Sequence, residues 1–579
     1  MADVSLKING LPVTVPAGTS ILDAANSVGI KIPTLCFLKD INAIGACRIC
    51  VVEVKGARSL VASCVCPVSN NMEVFTNTPA VRKSRKMTLE LLLSTHEKKC
   101  LSCVRSQNCE LQALCKEYGV DDEDKYAGEK PQYEIEDTNP YLVRDNNKCI
   151  LCRRCVAVCR HNQGVGVIGA NERGFKSNIG AAFGLDLKDV PCIACGQCIV
   201  HCPVGALKEK DDTQKVWDAL ADENKHVVIA PAPSVRATLG ECFGMPIGTN
   251  VEGKMVAAMH RLGFNAVVDV DVAADFTIME EGTEFIKRLN GEGPLPLITS
   301  CSPGWVKYCE HYFPEFIPNL SSAKSPQGMY GALMKSYYAE KMGIDPKDIY
   351  VVSVMPCTAK KFERTREQNR VDGLDDIDVS ITTRELSRMI KQAGIQFTAL
   401  PDEEFDPIFG GATGAAHIFG ATGGVMEAAL RTVVEILEKK ELQNVNFTEV
   451  RGIEDIKEAT YKVAGTEVKV AVVSGTASAG KLLADIRDGK RSYHFIEIMA
   501  CPGGCVNGGG QPIQDAYTRA NVDLKTLRAK ALYSEDEACT FRKSHENPIV
   551  KEVYKEYLGE PGSHKAHHLL HTTYVARGK

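Results

Sequence analysis

Cysteines at metal-binding spacings dominate the first half of the chain. Cys149-x2-Cys152-x2-Cys155-x3-Cys159 is followed by Cys192-x2-Cys195-x2-Cys198-x3-Cys202-Pro203. This doubled run specifies two 4Fe–4S clusters whose fourth cysteines cross over. One ligand set is then Cys149, Cys152, Cys155 and Cys202, and the other is Cys192, Cys195, Cys198 and Cys159. Arg160 stands where proline is usual after the first run, a minor departure. Upstream, Cys36-x10-Cys47-x2-Cys50-x13-Cys64 has one close pair and two distant partners, which suits a 2Fe–2S cluster with two thiolates per iron. Structural zinc, which usually takes two close pairs, is the plainer alternative. Cys66 is left over and is expected to be a buried thiol. Between these groups lies His96-x3-Cys100-x2-Cys103-x5-Cys109, which in isolation suits zinc and a 4Fe–4S cluster equally. Its place between two iron–sulfur patterns favours the cluster, with one imidazole ligand that raises its potential.

So many thiols also bear on the compartment. The chain has 579 residues and 24 cysteines, and Met1–Val15 lacks the charged-then-apolar profile of a signal peptide. Disulfides do not persist in a reducing cytosol, so a cytosolic metal-holding protein is expected. No apolar run is long enough to span a bilayer. Lys plus Arg is 68 against 73 for Asp plus Glu, which argues against nucleic acid as the main partner. Hydrophobic residues at 44% and charged residues at 24% exclude disorder. At about 150 residues per domain the length predicts roughly four domains.

The ligands need elements to hold them. Val4–Ile8, Val13–Val15 and Val51–Val54 alternate or run β-branched, predicting a small β-grasp ferredoxin-like domain over residues 1–79. Val81–Ser94 has helical periodicity and delivers His96 and Cys100, within a second unit at 80–125. Glu117–Asn139 reads as an acidic connector, and residues 140–210 carry the doubled run. From His226 onward the pattern is α/β, within a C-terminal domain at 211–579. Three apolar runs there share one design: Pro294–Ser300 leads to Cys301, Ile349–Pro356 to Cys357, and His494–Ala500 to Cys501. Each reads as a buried strand whose carboxyl end presents a cysteine. Ligands of open α/β sheets gather beyond those ends, so the three can converge. Val468–Val473 with Ser478–Ile486 reads as another strand–helix unit, and a helix is expected over Met426–Lys439. The fold class expected is multidomain α+β, with small cluster-binding domains ahead of the C-terminal α/β domain.

Thr299-Ser-Cys-Ser-Pro-Gly-Trp305, Met355-Pro-Cys-Thr-Ala-Lys-Lys-Phe-Glu363 and the segment Glu497–Pro512 resemble the three signatures of the FeFe (iron-only, di-iron) hydrogenases. The N-terminal half resembles the long, multi-cluster members, so the likeness spans nearly the whole chain. It implies reversible interconversion of hydrogen with protons and electrons. The implied cofactors are one 2Fe–2S cluster, three 4Fe–4S clusters and an H-cluster, a 4Fe–4S cubane joined to a di-iron unit with carbonyl, cyanide and dithiolate ligands. By position Cys357, Cys501 and Cys505 would hold the cubane, with Cys505 shared with the di-iron unit. Lys360 would pair with one cyanide, and Ala232, Pro233 and Ser234 would form the loop against the other. Gln327, Met355, Phe419 and Met499 match pocket-lining positions, for which ordinary core packing is the competing reading. Gly503, Gly504 and Gly508–Gly510 are expected to let backbone approach the cofactor closely.

One position departs from the family. Its usual adjacent cysteine pair, a proton relay followed by a cubane ligand, is here Cys301-Ser302. A serine alkoxide is a poor iron ligand, so Cys301 is the chemically better candidate for the fourth corner, with Ser302 as the other. Glu281, Glu284 and Arg288 fall at i, i+3 and i+7 on one helical face and, with Ser321, match the family's proton path. A Glu284–Arg288 surface pair is the plainer reading. His564, His567, His568 and His571 read as scattered histidines on a polar C-terminal helix. The resemblance implies ferredoxin or NAD- and flavin-containing partner subunits, and separate maturation proteins. No G-x-G-x-x-G fingerprint follows a strand, so a nicotinamide site would sit on another subunit, as in an electron-bifurcating complex. Ser302 also supports a different class, an electron-transfer, sensory or scaffold protein with an inactive C-terminal site.

Overall fold

The computed structural model of the chain describes residues 2–578. The N-terminal sheet runs in the order Leu11–Pro16, Asp3–Ile8, Glu73–Phe75, Val51–Val54, Val61–Ala62. Asp3–Ile8 and Glu73–Phe75 pair in parallel and the other neighbours antiparallel, giving the β-grasp arrangement. Strict alternation buries Val4, Leu6 and Ile8 on one face, with Ile21, Leu22, Ala24 and Ala25 of helix Ile21–Asn26 in the same core. The helix Pro79–Thr95 starts two residues before the expected Val81, because the Thr78 hydroxyl caps the Val81 N–H and Pro79 needs no partner for its nitrogen. His96 is its C-cap, so the helix delivers this imidazole directly.

The segment with the doubled run is closed by a short antiparallel pair, Leu142–Arg144 with Leu207–Glu209. Its two halves repeat in the backbone as well as in the cysteines. Leu151 and Arg153 have φ of 54° and 61°, and their equivalents Ala194 and Gly196 have 57° and 69°. Non-glycine residues adopt this left-handed region only where the surroundings over-determine it, as in two matching ligand loops.

In the C-terminal region the strands form two four-stranded sheets, beside a small antiparallel pair, Arg370–Val371 with Leu374–Asp375. One is wholly parallel, in the order Ala266–Val267, His226–Pro231, Ile349–Met355, Val379–Thr382. The other runs Leu297–Ile298, Phe495–Met499, Thr466–Ser474 in parallel, with Ile456–Val463 antiparallel at its edge. The central strands are buried almost throughout, which is why they read as continuous apolar runs. Convergence of the three cysteine-bearing strands is therefore across two sheets. Cys301 and Cys501 follow neighbouring strands of one, and Cys357 follows a central strand of the other. The run before Cys301 pairs over only Leu297–Ile298. Among the described residues, no helix is long and apolar enough to cross a membrane.

Candidate active site

Several of the N-terminal cysteines lie close together. Cys50 and Cys64 have sulfurs 3.3 Å apart, and Cys36 hydrogen-bonds Cys47 within the same cluster. These bonds lower Cys47 to about 6 and Cys50 to about 7, so half of this set is poised as thiolate, the form that binds iron. Cys66 is partly exposed rather than buried, and its sulfur lies toward the Pro67 carbonyl. Cys103 packs where a Cβ on Gly205 would come within 2.5 Å of its sulfur, so this group sits directly on the doubled-run segment. His96 Nδ1 is buried with no hydrogen-bond partner, a donor atom that an iron ligand role would satisfy. Cys115, unassigned by spacing, lies beside Cys109 and Cys100; burial, then their charges, pushes its thiol to about 11.

Cys149, Cys152 and Cys155 each feel the charge of Cys202, whereas Cys159 feels that of Cys192. Cys198 feels Cys192, Cys159 and Cys202 alike, so the sulfurs of the two runs lie side by side. Burial raises Cys195 well above its usual range, and the next contribution comes from Cys501, which belongs to the C-terminal region. The junction between the two is tight. Gly509 lies so close that a Cβ there would come within 2.2 Å of the Cys195 carbonyl and 2.6 Å of Gly196 Cα. The Gln197 amide donates to the Asn507 carbonyl at 2.7 Å, and the Thr358 hydroxyl to the Ala194 carbonyl at 2.7 Å.

Beyond that junction, between the carboxyl ends of the two sheets, is a cavity of about 70 Å³. Cys301, Ser302, Cys357, Cys501 and Cys505 all line it. So do Ala232, Pro233, Gln327, Met355, Lys360, Phe419 and Met499. Ser234 is buried behind Pro233 and does not line the cavity; its hydroxyl accepts from the Gln511 amide at 3.1 Å. Of the glycines, Gly504 and Gly508 line it. Gly503 instead faces Lys525, Gly510 faces Thr382, and Gly509 faces the relay segment. Their small size serves packing between segments more than approach to a cofactor.

Donor chemistry and shape fit an iron–sulfur centre. Burial, then the nearby Cys357, pushes the Cys505 thiol to about 12. Bound iron would supply the positive charge that lets such a crowded donor set ionise. Lys360 donates to the Ser325 hydroxyl at 2.7 Å and to Glu363 at 2.9 Å. Gln327 donates to the same Glu363 oxygen at 2.9 Å and accepts from the Ser353 hydroxyl at 2.8 Å. Glu363 and Ser325 were missed by the sequence reading, although Lys-x-x-Glu on a helix is the spacing that joins them. Lys360→Met would leave Glu363 buried without its cation and is expected to cost about 3–5 kcal/mol, read as a lower denaturation midpoint.

Glu281, Glu284 and Arg288 do share a face of the helix Val270–Leu289. Burial, then the Glu281 charge, pushes the Cys301 thiol far up, while Lys360 pulls the other way. Burial lifts Glu281 itself to about 8. Ser321 lies beside Glu281 and donates to Glu284 at 3.1 Å. Glu284 pairs with Arg288 at 2.5 Å. Cys301, Glu281, Ser321 and Glu284 thus form a file from the cavity toward the surface.

Comparison with known proteins agrees across the chain. Residues 225–509 match the family described as "Iron only hydrogenase large subunit, C-terminal domain", and residues 522–577 match "Iron hydrogenase small subunit". Residues 1–79, 85–124 and 148–206 match, in turn, a "2Fe-2S iron-sulfur cluster binding domain", an "NADH-ubiquinone oxidoreductase-G iron-sulfur binding region" and a "4Fe-4S dicluster domain". The chain is 47% identical to the NADP-reducing hydrogenase subunit HndD of Solidesulfovibrio fructosivorans over 100% of both chains. Iron hydrogenase 1 of Clostridium pasteurianum is 44% identical over 98% of this chain and 99% of its own. Among solved structures, a variant of the FeFe-hydrogenase HydA1 from Chlamydomonas reinhardtii aligns with a TM-score of 0.58 at 40% identity, covering 64% of this chain and 100% of that one. With that likeness running end to end and the three signature segments meeting around one cavity, the chain belongs to the iron-only, or FeFe, hydrogenase family, with iron–sulfur domains ahead of its H-cluster domain.

Proposed function

We propose that this hydrogenase interconverts hydrogen with protons and electrons at the cavity between its two sheets. Electrons would pass through the N-terminal clusters to ferredoxin or a nicotinamide-linked partner subunit. When bound, the di-iron unit would supply the site where the H–H bond of molecular hydrogen is made or broken. Cys357, Cys501 and Cys505 hold the cubane, and Lys360 with the Ala232–Pro233 loop seats the anionic end of the cofactor. The observation that carries this reading is the continuity from Cys195 to Cys501, which joins the last relay cluster to the cavity.

Cys301 is assigned here as the first proton carrier rather than the fourth cubane ligand. The charge with most effect on it is Glu281, which starts the acid file. Ser302 is then left for the fourth corner; its hydroxyl accepts from the Ala500 N–H at 3.1 Å, next to Cys501. Glu281 keeps its proton below about 8 and can donate inward. Hydrogen formation is therefore expected to fall as pH rises through about 8, in a dye-driven assay. Glu281→Gln should lack that limb and be slow at every pH. The sign for stability is the same. The unfolded acid ionises near 4.5 and the native one near 8, so the native state loses stability as pH climbs between them.

A relative named as a subunit of an NADP-reducing hydrogenase supports the multi-subunit form. Native size exclusion tests it: a large complex containing flavin supports it, and a lone active monomer supports a self-contained ferredoxin-dependent enzyme. Dye-driven hydrogen evolution by fully loaded protein tests the activity itself. Its absence with all clusters present would favour the sensory or scaffold reading.

A further inference from the structure

Glu284 is boxed in by its partners. One carboxylate oxygen faces Arg288, whose guanidinium also donates to the carbonyls of Pro294, Asn319 and Leu320. Arginine has no acceptor and does not give up its proton, so it fixes Glu284 but cannot carry a proton onward. The other oxygen receives the Ser321 hydroxyl at 3.1 Å, the Ser322 N–H at 3.0 Å and the Ser322 hydroxyl at 3.2 Å. Of these donors, only the Ser322 hydroxyl leads further. It is 2.8 Å from Nδ1 of His571, and His571 Nε2 is 2.9 Å from Glu280. Glu280 is held in turn by the Tyr554 hydroxyl at 2.5 Å and the Gly562 N–H at 2.8 Å.

His571 is thus held at both ring nitrogens, where scattered histidines on a polar helix were expected. Its side chain is 7% exposed and follows the helix His564–Leu570. The exposed His567 stacks on it, with ring centroids 4.4 Å apart. The charged and titratable groups around the ring are Glu280, His567, Lys287 near Gly562, and Glu284 through Ser322.

We propose that His571 is a proton-relay residue, carrying the conduction path from Glu284 through Ser322 to the surface of the C-terminal segment. This rests on the reading of Glu281 and Glu284 as the proton path. In the inward direction, a doubly protonated His571 gives its Nδ1 proton to the Ser322 oxygen as Ser322 gives its own to Glu284. The products are a neutral imidazole, still bonded through Nε2–H to Glu280, and a protonated Glu284. No electron moves and no heavy-atom bond changes. The cycle closes when the neutral ring swings out of its Ser322 and Glu280 contacts, takes a proton from water at Nδ1 and returns, and hydrogen oxidation runs the same steps in reverse.

The test uses the loaded enzyme carrying His571→Gln, His571→Ala or Ser322→Ala, with Glu281→Gln and Glu284→Gln beside them and His568→Ala as a surface control. The expected result is a drop of at least about tenfold in hydrogen evolution for the three relay variants. The solvent deuterium isotope effect should increase, and added imidazole should restore His571→Ala. Infrared bands of the cofactor's carbonyl and cyanide ligands should stay unchanged. The carboxyl band that disappears in Glu284→Gln should shift in His571→Ala, a readout independent of rate. Wild-type turnover in His571→Gln and Ser322→Ala, with Glu284→Gln slow, would overturn the proposal and mean that Glu284 discharges directly to water. Wild-type turnover in Glu281→Gln and Glu284→Gln would overturn the underlying path, and the proposal with it.

Discussion

Cys301→Ala is expected to lower hydrogen turnover by at least about a hundredfold, the scale on which a positioned proton carrier acts. The cubane should remain bound. Both expectations follow from where the thiol sits: in the cavity wall, half-buried, with the Glu281 carboxyl as its dominant charged neighbour. Alanine removes the thiol that sits between the cavity and that acid, while Cys357, Cys501 and Cys505 keep their places. Spin resonance of the reduced protein, integrated beside total iron, checks the second half. Loss of the cubane signal together with activity would instead make Cys301 a ligand, the role that thiolate chemistry alone favours over serine.

Gly509→Val should separate the two halves of the reaction. No side chain fits at this position, because backbone atoms of Cys195 and Gly196 lie within 2.2 and 2.6 Å of where the Cβ would be. Backbone cannot step aside as a flexible side chain can, so the dicluster segment must move away from Cys501. The overpacking is expected to cost about 1–3 kcal/mol. Dye-driven hydrogen evolution, which draws electrons through the relay, should fall by at least about tenfold, equivalent to about 1.4 kcal/mol in the barrier. Exchange of deuterium gas with solvent protons, which needs no external electrons, should be largely retained. Equal loss in both assays would mean that the substitution damages the cavity rather than the junction.

What could be read from the sequence follows how local each feature is. The ligands of the doubled run lie within a few residues of each other, so spacing alone defined their grouping, including the crossover of Cys159 and Cys202. The strands before Cys301, Cys357 and Cys501 were legible because buried parallel strands leave unbroken apolar runs. Their distribution over two sheets was not, since Leu297 pairs with Phe495 across most of the domain. The glycines of the third signature were readable as points of close approach, but not what approaches: Gly509 meets Cys195 from a segment some three hundred residues earlier. His571 was the least legible. Its partners Ser322 and Glu280 lie 249 and 291 positions away, and nothing in the tail's own pattern distinguishes it from His564, His567 or His568.

The measurement that bears most directly on the cavity as the hydrogen site is infrared spectroscopy of the protein after maturation, for wild type and Cys505→Ala. Wild type should show bands from bound carbonyl and cyanide. Cys505→Ala, lacking the sulfur assigned to both halves of the cofactor, should lose them while the N-terminal clusters keep their spin signals. Wild-type protein with every cluster loaded but no such bands, or bands that persist unchanged in Cys505→Ala, would contradict it.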